Sequence, residues 1–125
     1  MNPEHHYQRL LDDIVATFNT LDMAAIMAWF TDDVVVRYND IVLEGAGSLE
    51  AFLRPRYADL QDYRLDKRLR TVSGTTIGVE AQARFIQRSS GCHCTARIHE
   101  FLVFDGARIR QWDYVGHLVQ ANAFT

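Results

Sequence analysis

Cysteine and proline are scarce in this 125-residue chain, with two of each, so neither a disulfide framework nor an extended proline-rich linker can organise it. Cys92 and Cys94 stand two apart in an extended run, where a bridge between them is geometrically unfavourable, and they read as reduced packing residues. The string Cys92-His93-Cys94 has no second ligand pair at zinc spacing, so no metal is expected. No apolar run reaches the roughly eighteen residues that cross a bilayer. The N-terminus MNPEHHYQRLLDD is polar and acidic where a secretory leader is basic and then apolar. A cytoplasmic protein with no membrane attachment is the expectation. Charge of one sign is also lacking: the net charge is −3 with both signs interspersed, which argues against a nucleic-acid partner. The arginines between Arg54 and Arg70 read as solvated strand and helix faces.

What remains is a single domain over residues 1–125, long enough for a real core. Tyr7, Leu10, Leu11, Ile14, Val15, Phe18 and Leu21 recur at helical spacing and predict an amphipathic first helix. Asp22 is a good N-cap for a short, apolar second helix, Met23 to Phe30. Val34 to Tyr38 and Ile41 to Glu44 are β-branched strands around Asn39-Asp40. A third helix follows the Gly45-Ala46-Gly47 break, with Pro55 expected to kink or restart it. Long strands then run from Tyr63 to Ser73, Thr76 to Arg88, Cys92 to Phe104 and Arg108 to Val115, joined by glycine-bearing turns. The tail from Gly116 either packs along the sheet or is loose. Three N-terminal helices followed by a curved, antiparallel sheet make an α+β cone with a deep pocket between the sheet's concave face and the helices. Trp112, Tyr114 and Leu102 are expected on the opposite face, where they would favour a homodimer.

The last hairpin carries the ionisable groups: Arg97, His99, Glu100 and Asp113 lie among β-branched and aromatic residues. A two-residue turn at Asp105-Gly106 would set His99 opposite Trp112 and send Asp113 to the other face. A three-residue loop with a bulge would set His99 across from Asp113. The second register is favoured, because it gathers Phe101, Val103, Ile109 and Val115 around the pair. The carboxylate would then fix the imidazole tautomer and raise its basicity. The bland alternative is a satisfied core histidine beside a structural anion; were His99 and Asp113 on opposite faces of the sheet, Glu100 would take the inward position beside Ile98 and Leu102, and any mechanism would have to rest on that carboxylate. Arg97, on the same face, would neutralise Asp113 or bind a substrate carboxylate or enolate.

The stretch AAIMAWFTDDVVVRYND, the glycine-bounded third helix and the closing FLVFDGARIRQWDYVG resemble the nuclear transport factor 2-like superfamily, and within it the SnoaL-like branch. The resemblance covers nearly the whole chain and implies a cystatin-like α+β barrel. It also implies a pocket for a small hydrophobic molecule, no cofactor, and either isomerase, dehydratase or cyclase chemistry or a non-catalytic module. Carried over by position, Tyr38 falls near the carboxylate base of ketosteroid isomerases, and Ile14 where those enzymes place an oxyanion-binding tyrosine. Gln82-Ala83-Arg84 replaces the Arg-x-Asp pair of limonene epoxide hydrolases. Asp113 matches the acid or base aspartate on the last strand. The candidate catalytic residues are therefore His99, Asp113 and Tyr38. Arg97, Phe18, Phe30, Val36, Phe101, Gln111 and Val115 are expected to bind substrate.

Overall fold

The computed structural model describes residues 2–120. Helix α1 (Pro3–Phe18) starts where Asn2 accepts a hydrogen bond from the Glu4 amide at 2.9 Å and Pro3 supplies a preset φ. Its buried residues Tyr7, Leu11, Ile14 and Phe18 form one stripe. Beyond its end, Asn19 grips the sheet: Nδ2 donates to the Leu65 carbonyl at 3.0 Å and Oδ1 accepts from the Leu65 amide at 2.7 Å. Asp22 caps α2 (Met23–Met27) by accepting from the amides of Ala24 and Ala25. This helix is shorter than the sequence pattern suggested. The amide of Ile109 binds the Trp29 carbonyl at 2.7 Å, and Phe30 already belongs to strand β1 (Phe30–Tyr38). Pairing with the sheet thus outcompetes the last helical turn.

Asn39, at φ 54°, turns the chain into β2 (Ile41–Glu44). Helix α3 (Ala46–Ala58) follows Gly45, whose φ of 89° suits glycine, and continues through Pro55 without interruption where a kink or restart was expected. Proline there gives up one amide donor close to the helix end, where few bonds depend on it. Four long strands follow: β3 (Leu60–Ser73), β4 (Thr76–Gln87), β5 (His93–Asp105) and β6 (Arg108–Gln120). Gly116 to Gln120, expected as a tail, extends β6; residues 121–125 lie outside the described residues.

The six strands form one sheet in the order β2-β1-β6-β5-β4-β3, antiparallel except where β1 lies parallel to β6. Register shifts in β3, between Gln61 and Arg64 and between Leu69 and Thr71, mark bulges of the kind that curl a sheet. The curled sheet buries Leu65, Ile77, Val79, Ala81, Ile98, Leu102, Phe104 and Trp112 with the helical stripe. The fold is α+β, three helices and a six-stranded mixed sheet.

The closing hairpin takes neither expected register. Asp105 pairs with Arg108 around Gly106 and Ala107, and a shift between Val103 and Phe104 leaves one extra residue on β6. That bulge lets Ile109 and Trp112, three apart, both point inward and be buried. Beyond it His99 pairs with Val115, Glu100 with Tyr114, and Phe101 with Asp113. His99 and Asp113 therefore share a face but do not oppose each other, and the face is the outer one. The reason is the alternation along β5. Ala96, Ile98, Leu102 and Phe104 are buried on the inner face, so His99 and Phe101 must turn out. Trp112, Tyr114 and Leu102, expected on the outer face, are correspondingly on the inner one.

Candidate functional site

Small residues make the room for a cavity. Ala83, Ala96 and Gly116 lie on the inner face of β4, β5 and β6, and a pocket of about 820 Å³ opens over them toward the end of α3. Gly116 is needed in this role, since a Cβ there would meet the Tyr114 hydroxyl at 2.9 Å. Aromatic side chains line the walls: Phe18, Tyr38, Tyr57, Tyr63, Phe85, Trp112 and Tyr114. Tyr38 and Tyr114 stack with centroids 3.9 Å apart and planes 8° from parallel, while Trp112 meets each edge-on.

At the floor stands one ion pair. Glu100 projects from β5 into the cavity at 3 % exposure; its Oε1 pairs with the Lys67 ammonium and its Oε2 accepts from the Trp112 indole at 2.7 Å. Lys67 reaches it from β3 across Ala81, a side chain small enough to pass over. The ammonium also lies 5.6 Å from the Phe18 ring centroid and 6.0 Å from that of Trp112, within cation–π range. Both charges are thus buried, paired and hydrogen-bonded, the arrangement that makes burying ions tolerable.

The phenols around this pair are held protonated. Burial, and then the nearby Tyr63, raises Tyr57 well above the ordinary tyrosine value. Burial and the Glu100 charge push Tyr63 up, and burial with the neighbouring Tyr38 does the same for Tyr114. They are therefore hydrogen-bond donors at neutral pH. A carboxylate at the floor and several neutral phenols on the walls can move a proton and stabilise an oxygen that gains charge.

Of the residues expected from the sequence, Phe18 and Tyr38 line this cavity. Phe30 and Val36 are buried behind it, the Phe30 ring 5.8 Å from that of Trp112. The others lie outside. Phe101 and Val115 are 54 % and 67 % exposed on the outer face. Gln111 sits beside Asp113, its Nε2 3.4 Å from Oδ2. Arg97 and His99 border a second depression with Asp66, Arg68, Glu80 and Gln82. Asp113 Oδ1 is buried with no hydrogen-bond partner among the described residues. Glu100 was expected inward only if His99 and Asp113 fell on opposite faces of the sheet; Lys67, Tyr57, Tyr63, Trp112 and Tyr114 were not singled out as site residues. The signal for Glu100 and Lys67 was present: each is a lone charge in an otherwise apolar alternation, Ile98-Glu100-Leu102 on β5 and Leu65-Lys67-Leu69 on β3. No three His, Cys, Asp or Glu side chains among the described residues come together as a metal site. No helix among the described residues is long and apolar enough to cross a membrane.

The family model for the SnoaL-like domain matches residues 11–112. The chain belongs to the SnoaL-like domain family. No curated protein matches its sequence. Among solved structures it is similar to SalBIII, an epoxide hydrolase/cyclase-like enzyme of pyran ring formation in the polyether salinomycin, with a TM-score of 0.80 at 13 % identity over 94 % of this chain and 95 % of that one. An NTF2-like protein of unknown function from Burkholderia pseudomallei superposes with a TM-score of 0.74 at 18 % identity, covering 94 % and 93 %. A protein with a ketosteroid isomerase-like fold from Catenulispora acidiphila, solved with trimethylamine, gives 0.74 at 12 % over 92 % and 86 %. At these identities the SnoaL-like chain shares with them its NTF2-like fold, which hosts cyclases, isomerases and epoxide hydrolases alike.

Proposed function

We propose that this SnoaL-like protein binds a small, largely hydrophobic, ring-containing molecule in the aromatic pocket. There it performs cofactor-independent acid–base chemistry of the isomerase, dehydratase or cyclase type. The observation that carries the reading is Glu100, a single carboxylate at the floor of an apolar cavity ringed by protonated phenols. Glu100 takes a proton from a carbon beside a substrate carbonyl. A phenol, Tyr63 or Tyr114, donates a hydrogen bond to the carbonyl oxygen as it becomes an enolate. Isomerisation, loss of water and ring closure share this first step and differ in where the electron pair goes next. The His99–Asp113 pair has no part in this scheme, because both side chains are on the face away from the cavity.

Exchange of carbon-bound hydrogen in small cyclic ketones dissolved in D2O, followed by NMR, tests the scheme. The native protein should catalyse exchange, and Glu100→Gln should slow it by about a hundredfold or more while still binding the ketone. Binding without exchange in the native protein would leave the second reading, a non-catalytic ligand-binding module. One observation favours that alternative: both Glu100 oxygens are already engaged, by Lys67 and Trp112.

Assembly as a homodimer through the outer sheet face belongs to the same proposal, resting on Phe101, Val115, Val35 and Val119 rather than on the inward-turned Trp112 and Tyr114. Sedimentation of the native protein should give a species of twice the 14.4 kDa chain mass, and Phe101→Asp the single chain.

A further inference from the structure

The cavity's own charges do not all find partners. Its lining includes Arg56, Asp59, Lys67, Glu100 and His117. Lys67 and Glu100 satisfy each other at the floor. Asp59, just past the end of α3, is held by the neighbouring loop: Oδ1 accepts from the Ser89 amide and Oδ2 from the Ser89 hydroxyl, each at 2.8 Å. The Arg56 guanidinium, in the last turn of α3, has no ion pair or hydrogen bond among the described residues. It is nevertheless held in place. Its Cζ lies 4.4 Å from the Phe52 ring centroid and 5.3 Å from that of Tyr38, so two aromatic faces fix its position at the pocket rim while leaving its N–H edges unspent. Asn39 adds to this rim. Its Oδ1 accepts from the Gly116 amide at 3.0 Å, which leaves the Nδ2 donor for other use.

We infer that the ligand is a ring-bearing carboxylate whose anionic end is bound at the rim by Arg56, assisted by Asn39, while its ring lies among the aromatic walls. The inference rests on the pocket reading above and narrows it to a substrate class. A planar guanidinium held edge-out matches a carboxylate with two parallel hydrogen bonds, which an ester or amide of the same shape cannot return. The acid end is at the mouth and the reacting carbon at Glu100, so one ligand spans the cavity from rim to floor. Bound this way, a neutral compound of the same skeleton keeps its ring contacts and loses only the rim contact.

Matched titrations of the whole protein with cyclohexanecarboxylate against cyclohexanecarboxamide, and with naphthoate against naphthamide, read the two claims separately. The acids should bind on the order of tenfold more tightly than the amides, with the margin narrowing at high salt. Arg56→Gln should abolish the margin and leave amide affinity unchanged. Because Arg56 is exposed at a helix end, that variant is expected to fold normally. Equal affinity for acid and amide in the native protein, or a margin that survives Arg56→Gln, overturns the rim assignment and leaves the pocket reading standing. If neither acids nor amides change the tryptophan fluorescence of the native protein, while Trp112→Phe confirms that Trp112 contributes to it, both claims are overturned.

Discussion

Both faces of the β5–β6 hairpin carry ionisable groups, a single charged one, Glu100, inside and Arg97, His99 and Asp113 among those outside, and the fold treats them in opposite ways. On the inner face Glu100 is buried, with two hydrogen-bonding partners brought from β3 and β6. On the outer face His99 and Arg97 are exposed, and Asp113 has one long contact to Gln111. A carboxylate among Ile, Val and Phe in the sequence looks alike in both settings. What separates them is whether the neighbouring strands supply donors and exclude water, and only the inner face does both. That contrast is why the proposed chemistry is assigned to the inner face and the proposed assembly to the outer.

The sharpest way to break this comparison is to remove the inner charge. Glu100→Leu leaves the Lys67 ammonium, at 5 % side-chain exposure, without its counterion, and should cost about 3–5 kcal/mol in denaturant unfolding. The double variant Lys67→Met, Glu100→Leu should recover most of that loss, because an apolar pair of similar volume avoids the desolvation cost altogether. If the single variant were as stable as the native chain, the ion pair would be incidental and the two faces equivalent.

The wall phenols give a smaller, pH-dependent version of the same test. Tyr57, Tyr63 and Tyr114 are raised in the folded state above the ordinary 10.0, whereas the unfolded chain ionises at that value. The folded state then holds protons that the unfolded state has released. The stabilisation is fully present below that pH and is lost as pH rises through the folded values. Denaturant midpoints should accordingly fall steadily in strong alkali, and less steeply for Tyr63→Phe, which has nothing to ionise. Simple ionisation of all five tyrosines at the ordinary value with the fold intact would show that the cavity is wet and its walls no different from the surface.

Much of this architecture was legible before any coordinates. The four-turn stripe of α1, the Asp22 cap and the succession of helices and strands along the chain follow from periodicity and capping chemistry, and the resemblance carried by FTDDVVVRYND and QWDYVG led to the right fold. The site was less legible, and one residue is the reason. An extra position on β6 beside Val103 and Phe104 changes which side chains share a face, so alternation read straight through Ile109 and Trp112 gives the wrong side. Apolar count on the last hairpin did not settle the face either. The deciding contacts come from β4 and α1, where Ala81, Val79 and Leu11 await Ile98, Leu102 and Phe104. Lys67 illustrates the same limit: its partner is thirty-three residues away and invisible without the β3-β4-β5 register.

The smallest expected effects belong to the outer face, where the sequence alone placed the chemistry. His99→Ala removes an exposed imidazole paired in register with Val115, itself 67 % exposed, and should change unfolding free energy by no more than about 0.5 kcal/mol. Asp113→Asn removes a charge whose Oδ1 has no partner among the described residues and whose Oδ2 has only the 3.4 Å contact to Gln111. Losing an ill-satisfied carboxylate costs little, so this variant should be neutral or slightly stabilising in the monomer. Neither substitution touches the cavity, and ketone exchange and ligand affinity should both stay within about twofold of the native values. Asp113 could still matter to assembly, since a partner donor would satisfy the buried Oδ1 that the isolated chain leaves unmet. Sedimentation of Asp113→Asn separates the two roles: weakened association with unaltered exchange keeps the division between faces. A hundredfold loss of exchange in either variant would return the chemistry to the outer face and leave Glu100 as a structural ion.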